Sequence, residues 1–117
     1  MPKRIAIFDD DNDILDLCRY ILEEKGHTVF TRTDCNSIIT DIETFNPQVV
    51  LMDNWIPDRG GIESTRMIKA NPSFDDITII YFSANNDIKS LAAQAGADKF
   101  LAKPFDIDVL ETIIDES

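Results

Sequence analysis

Short, nearly continuous apolar runs alternate along this chain with stretches whose apolar residues recur at helical spacing, and no other feature constrains the fold so closely. The first run, Ile5-Ala6-Ile7-Phe8, lies in a strand expected over residues 3–9. β-Branched and aromatic residues favour such a pleated, buried setting. Val49-Val50-Leu51-Met52 and Ile77 to Phe82 repeat the pattern, and Thr28 to Arg32 and Phe100 to Ala102 give shorter strands. Between them, Ile14, Leu17, Cys18, Ile21 and Leu22 recur at the period of an amphipathic helix over residues 12–25. Asn12 or Asp11 can cap its start, and Gly26 sits where a C-terminal cap glycine belongs. Ile38, Ile39, Ile42 and Phe45 mark a second helix, closed by Asn46-Pro47. A third runs from Gly61 to Ala70 with Ile62, Thr65 and Ile68 inward, until Asn71-Pro72 stops it. Ile88, Leu91, Ala92 and Ala95 define a fourth over residues 87–95, and Val109, Leu110, Ile113 and Ile114 a last one. This alternation predicts an α/β fold, a five-stranded parallel sheet with five helices on its two faces, because parallel strands need crossovers and burial on both sides.

The 117 residues suit one domain spanning positions 1–117, and 44% hydrophobic with 28% charged residues describe a chain able to bury one core. No apolar run approaches the roughly 20 residues that cross a bilayer. Met1-Pro2-Lys3-Arg4 leads straight into the first strand without a secretory pattern, so the expectation is a cytoplasmic protein with no membrane role. Acidic residues outnumber basic ones by 22 to 11, a formal net charge of −11. So negative a surface repels phosphate backbones and argues against direct nucleic-acid binding. Cys18 and Cys35 show no metal-ligand spacing and read as reduced, structural thiols. His27, the single histidine, sits at a helix-to-strand junction and reads as structural.

In a parallel sheet all C-terminal strand ends share one edge, where ligands of open α/β sheets bind. Asp9, Asp10, Asp53, Ser83 and Lys103 each follow an apolar run, so the topology gathers them there. Carboxylates that close raise one another's pKa and resist joint ionisation, so they face water or hold a cation. Asp10 and Asp53 can give oxygens directly to a divalent ion, with Asp9 acting directly or through water. A few carboxylates, waters and a phosphate oxygen suit magnesium, with manganese as the substitute. Lys103 offers fixed positive charge to an incoming phosphoryl group and Ser83 a hydroxyl donor. One carboxylate is then the nucleophile, and the product is an aspartyl-phosphate. Asp11, Asp13 and Asp16 have a simpler reading as helix-start acids favoured by the macrodipole.

These residues stand in segments that resemble, in register, the receiver domains of two-component response regulators. The segments are Asp9-Asp10, then Leu51-Met52-Asp53-Asn54-Trp55-Ile56-Pro57 with Gly61, then Ser83-Ala84, Ala95-Gly96-Ala97 and Lys103-Pro104-Phe105. The resemblance covers essentially the whole chain and is to single-domain, chemotaxis-type receivers. It implies a flavodoxin-like doubly wound (βα)5 fold and phosphorelay signal transduction. It implies that Asp53 is the phosphoacceptor, and that Asp9, Asp10, Asp53 and the Trp55 backbone carbonyl organise Mg2+. Lys103 pairs with the phosphoryl group, next to a cis bond before Pro104, and Ser83 and Phe100 take the switch positions. A histidine kinase or phosphotransfer protein is the implied donor, and a downstream protein or an attached output domain the implied target. The implied state is a monomer or a phosphorylation-dependent dimer, acting as a signal transducer rather than a dedicated enzyme. Phe100 stands where Tyr is frequent, and Gly60 where Asp often precedes the equivalent of Gly61.

Asp9-x-Asp11 also resembles the opening motif of haloacid-dehalogenase-like phosphatases, in which Asp9 would be the nucleophile. Their motif continues with Gly and then Thr or Val, whereas Asn12 and Asp13 stand here. An EF-hand fails because its sixth position is Ile14 and its twelfth Tyr20. An FMN site fails because the acidic edge repels phosphate and no Ser/Thr/Gly-rich loop follows the first strand.

Overall fold

Three strand-end hydrogen bonds explain why the chain leaves its sheet where it does. Asp9, Asp53 and Ser83 each accept, on a side-chain oxygen, the backbone N–H two residues further on: Asp11 at 2.9 Å, Trp55 at 3.2 Å and Asn85 at 3.0 Å. Such Asx- and Ser-turns give the backbone an alternative to the next ladder bond and turn it out of the strand. The computed structural model describes residues 2–57 and 60–117. Within it, β1 (Arg4–Phe8), β2 (Thr28–Arg32), β3 (Val49–Asp53), β4 (Thr78–Ser83) and β5 (Lys99–Ala102) form one parallel sheet in the order β2-β1-β3-β4-β5. The intervening helices are α1 (Asn12–Glu24), α2 (Ile38–Phe45), α3 (Gly61–Lys69), α4 (Ile88–Ala95) and α5 (Ile107–Asp115).

Alternation along each strand divides the core in two. Ile5, Ile7, Leu51, Ile80 and Phe82 meet Leu15, Cys18 and Leu22 of α1 and Leu110 and Ile114 of α5. Ala6, Phe8, Val50, Met52, Ile79 and Tyr81 face the other way, into a layer with Ile38 and Ile42 of α2, Ile68 of α3 and Ile88, Ala92 and Ala95 of α4. Both sheet faces are therefore covered, as near-continuous apolar strands require.

The helix boundaries follow the chemistry of their caps. Asp11, not Asn12, caps α1, accepting the Asp13 N–H. Gly26, at φ +90°, ends it: its N–H reaches Glu23 O while the His27 N–H reaches Leu22 O. Two expected faces need correction. Leu15 is buried in α1 while Leu17 is 47% exposed, and Val109 of α5 points outward. In α1 the Leu15, Cys18 and Leu22 row meets the sheet, and in α5 the Leu110 and Ile114 row does. A single turn of 3-10 helix, Pro72–Phe74, continues the stop at Asn71 and buries Phe74.

Candidate functional site

The sheet register brings the strand ends level. Phe8 pairs with Met52, Asp53 with Phe82, and Ser83 with Ala102. Asp9, Asp53, Ser83 and Lys103 therefore emerge side by side on four neighbouring strands. The chain reverses direction of travel across the sheet between β1 and β3, which is where open α/β folds place their ligands. Asp9 and Asp53 stand on the two sides of that point.

Lys103 ties the carboxylates together. Its Nζ donates to Asp9 Oδ2 at 2.6 Å and to Asp53 Oδ1 at 2.9 Å, and it lies 4.4 Å from the Phe82 ring centre. Its backbone N–H donates to Ser83 O at 2.9 Å, and the Lys103–Pro104 peptide is cis, as the resemblance implied. Ligand oxygens of Asp9, Asp10 and Asp53 all lie within 4.8 Å of one another; Asp10 is exposed, and the other two are buried.

Burial is the main electrostatic force here. It pushes the Asp53 carboxyl up to about 6 against the pull of the Lys103 hydrogen bond, with the Asp9 charge adding to the rise. Asp9 is raised for the same leading reason. Burial alone would pull the Lys103 ammonium down, but its bonds to both carboxylates hold it above its ordinary value. One ammonium cannot balance the three carboxylates. The donors are all hard oxygens and retain surplus negative charge, so Asp9, Asp10 and Asp53 fit a hard divalent cation.

Ser83 is buried at the edge, and its Oγ, while accepting the Asn85 N–H, still has a proton to donate. Trp55 is tied to the site through its backbone, because its N–H donates to Asp53 Oδ2, while its side chain is 78% exposed. Phe100 lies outside this group, on edge strand β5, and is 44% exposed. Gly61, part of the quoted motif, has a spatial reason. A methyl group there would lie 2.1 Å from the Asp53 backbone oxygen, so only glycine lets α3 start against the end of β3.

Sequence pattern assigns no role to Tyr81 or to Asn54. The buried Tyr81 hydroxyl donates to Asn54 Oδ1, next in the chain to Asp53. A single hydroxyl in the apolar run Ile79–Phe82 is the available signal, but tyrosine in a strand also reads as an ordinary β-former. Burial pushes the Cys18 thiol up to about 12, and His27 accepts the Lys3 N–H at 2.9 Å on Nδ1 with its pKa lowered mainly by burial. Among the described residues no helix is long and apolar enough to cross a membrane.

Comparison with known proteins agrees with this arrangement. The chain is 34% identical over 111 residues to the Vibrio cholerae CAI-1 autoinducer sensor kinase/phosphatase CqsS, covering 92% of this chain and 16% of that protein. It is 30% identical over 105 residues to the Bacillus subtilis alkaline phosphatase synthesis transcriptional regulatory protein PhoP, covering 90% of this chain and 44% of the relative. The chain thus spans less than half the length of either curated relative. A crystal structure of the receiver domain of the sensor histidine kinase PA1611 from Pseudomonas aeruginosa, with a magnesium ion coordinated in its active-site cleft, superposes with a TM-score of 0.88 at 26% identity. That match covers 99% of this chain and 97% of the other. A family model described as the response regulator receiver domain matches residues 5–115, and the chain belongs to that family.

Proposed function

We propose that residues 1–117 act as one phosphorelay receiver domain in which Asp53 accepts a phosphoryl group and a protein-binding surface changes in response. The observation that carries this reading is the Lys103 ammonium bridging Asp9 at 2.6 Å and Asp53 at 2.9 Å, inside a cluster of three carboxylates. Asp53 is the better nucleophile of the two because it ends the central strand, between Asp9 on β1 and the Ser83 hydroxyl on β4. An Asp53 oxygen attacks phosphorus as the donor's phosphorus–nitrogen bond breaks, and the imidazole of a histidine kinase or phosphotransfer protein leaves with the proton it needs from solvent. Lys103 then exchanges its bond to Asp53 for one to the phosphoryl oxygens, and Ser83 donates its hydroxyl to another. Bound Mg2+, or Mn2+, held by Asp9, Asp10, Asp53 and the Trp55 carbonyl, would offset the charge that otherwise repels the donor. The PA1611 receiver, with magnesium in its cleft, supports that reading.

On this proposal the chain is a cytoplasmic signal transducer rather than a dedicated enzyme, a monomer or a phosphorylation-dependent dimer. It passes the signal to a downstream protein or an attached output domain and does not itself bind nucleic acid. Acetyl phosphate with Mg2+ should add one phosphoryl group, read by intact mass, and Asp53→Asn should abolish the addition. Labelling that persists in Asp53→Asn or maps to Asp9, or turnover of p-nitrophenyl phosphate, would overturn the assignment in favour of a phosphatase.

A further inference from the structure

Tyr81 is fully buried on the sheet face that α2, α3 and α4 cover, in one apolar layer with Met52, Ile68 and Ile88. A phenylalanine ring would fill almost the same volume, so the hydroxyl needs its own explanation. Burying a hydroxyl costs about 1–3 kcal/mol unless it finds a partner. Burial first, and the Asp53 charge second, push its pKa well above the ordinary range, so it stays a protonated donor.

That donor is spent on Asn54. The neighbouring peptide unit is pinned at both ends: its carbonyl, Asn54 O, accepts the Gly61 N–H at 3.3 Å, and its N–H, from Trp55, donates to Asp53 Oδ2 at 3.2 Å. Peptide units are planar, so two such bonds fix the plane and with it the start of Trp55. Tyr81 adds a third restraint by holding the Asn54 side chain, and its oxygen lies 3.0 Å from where a Gly61 methyl would stand. One hydroxyl therefore ties β4 to the residue after Asp53 and stands beside the first residue of α3.

We propose that Tyr81, acting through Asn54, is a positioning residue that sets the orientation of the Asp53 carboxylate and the Trp55 backbone for cation binding and phosphoryl transfer. The proposal rests on the phosphoacceptor reading above. Outer contacts of this kind orient the groups that touch an ion, and losing them weakens binding about 10- to 100-fold.

The test compares wild type, Tyr81→Phe, Asn54→Ala and the double variant. In the metal-free protein, amide hydrogen exchange at Trp55 should be faster in each variant. Titration with MgCl2, read by the fluorescence of Trp55, the single tryptophan, should show affinity weakened about 10-fold in Tyr81→Phe. Labelling by acetyl phosphate should slow at low Mg2+ and recover at saturating Mg2+. Asn54→Ala should lose as much, and the double variant no more than either, because both act through one bond. Tyr81→Phe with wild-type affinity and Trp55 exchange overturns the proposal, whether or not it loses thermal stability, and so do losses that add in the double variant. Wild-type protein that neither binds Mg2+ nor accepts a phosphoryl group overturns the phosphoacceptor reading itself, a result distinct from an active wild type and an unchanged Tyr81→Phe.

Discussion

On the proposed function Asp53 must be ionised to attack, yet its surroundings favour the protonated form. Its ordinary carboxyl value of 3.8 rises to about 6, led by burial. The sign of the linkage follows. A carboxylate whose folded pKa lies above its unfolded one costs stability when ionised, so the cost is present above about pH 6 and fades as pH falls towards 4. Asp53→Asn removes that charge with little change of shape, while Asp9 still holds Lys103. In metal-free buffer at pH 7.5 the variant should therefore be more stable than wild type by about 1–3 kcal/mol. Urea denaturation should show the gain shrinking as pH approaches 4. Saturating Mg2+ should reverse the order, since it stabilises only the protein it binds. A metal-free Asp53→Asn less stable than wild type at pH 7.5 would sink this electrostatic account. Asp9, Asp53, Ser83 and Lys103 were legible in the sequence because each follows an apolar run, and strand direction alone carries such residues to one edge. The bond between Tyr81 and Asn54 was not, because which face a strand residue takes depends on register, and register is set by distant strands.

At the scale of elements, periodicity located every strand and α-helix to within a residue or two, because burial on a sheet demands it. It did less well on which row of a helix turns inward. Leu17 and Val109 fit the spacing yet face solvent, since the angle at which a helix meets the sheet is fixed by its cap and its neighbours. The 3-10 turn at Pro72–Phe74 is shorter than any periodic signal. The junction between β3 and α3 is the element that matters most for the site. At Gly61 a methyl group would meet the Asp53 backbone oxygen at 2.1 Å, whereas at Gly60 it would meet nothing within 4 Å. Gly61→Ala must push the start of α3 away from β3 and should cost about 2–4 kcal/mol in thermal unfolding, with slower labelling by acetyl phosphate. Gly60→Ala, where φ +80° and ψ 159° lie in a region open essentially only to glycine, should cost about 1–3 kcal/mol and leave labelling unchanged at a temperature where both are folded. Equal effects at the two glycines would refute the close-approach argument.

Across the whole molecule, the sheet order turns a local event into a directional one. Ser83 ends β4, which lies between the Asp53 strand and the edge strand β5, and Tyr81 of β4 pairs with Phe100 of β5. Phe100 is 44% exposed on that edge. The sequence pattern places Phe100 on a strand, and this exposure sets it outside the core. A phosphoryl group on Asp53 can shift the equilibrium only by the difference in its interaction with two states. A hydrogen bond from Ser83 to that group would supply such a difference, about 1.5–3 kcal/mol for a charged acceptor, or roughly 10- to 100-fold in population. On the proposed function, moving Ser83 towards Asp53 would vacate space beside β5 and let Phe100 turn inward, reshaping the surface formed by α4, β5 and α5. Ser83→Ala should still be phosphorylated by acetyl phosphate with Mg2+, because Asp53 and Lys103 are untouched. Its Phe100 ring resonances, however, should move less than half as far on phosphorylation as they do in wild type. Identical Phe100 shifts in the two proteins, at equal phosphorylation by mass, would show that the signal reaches the surface by a route that does not pass through the Ser83 hydroxyl.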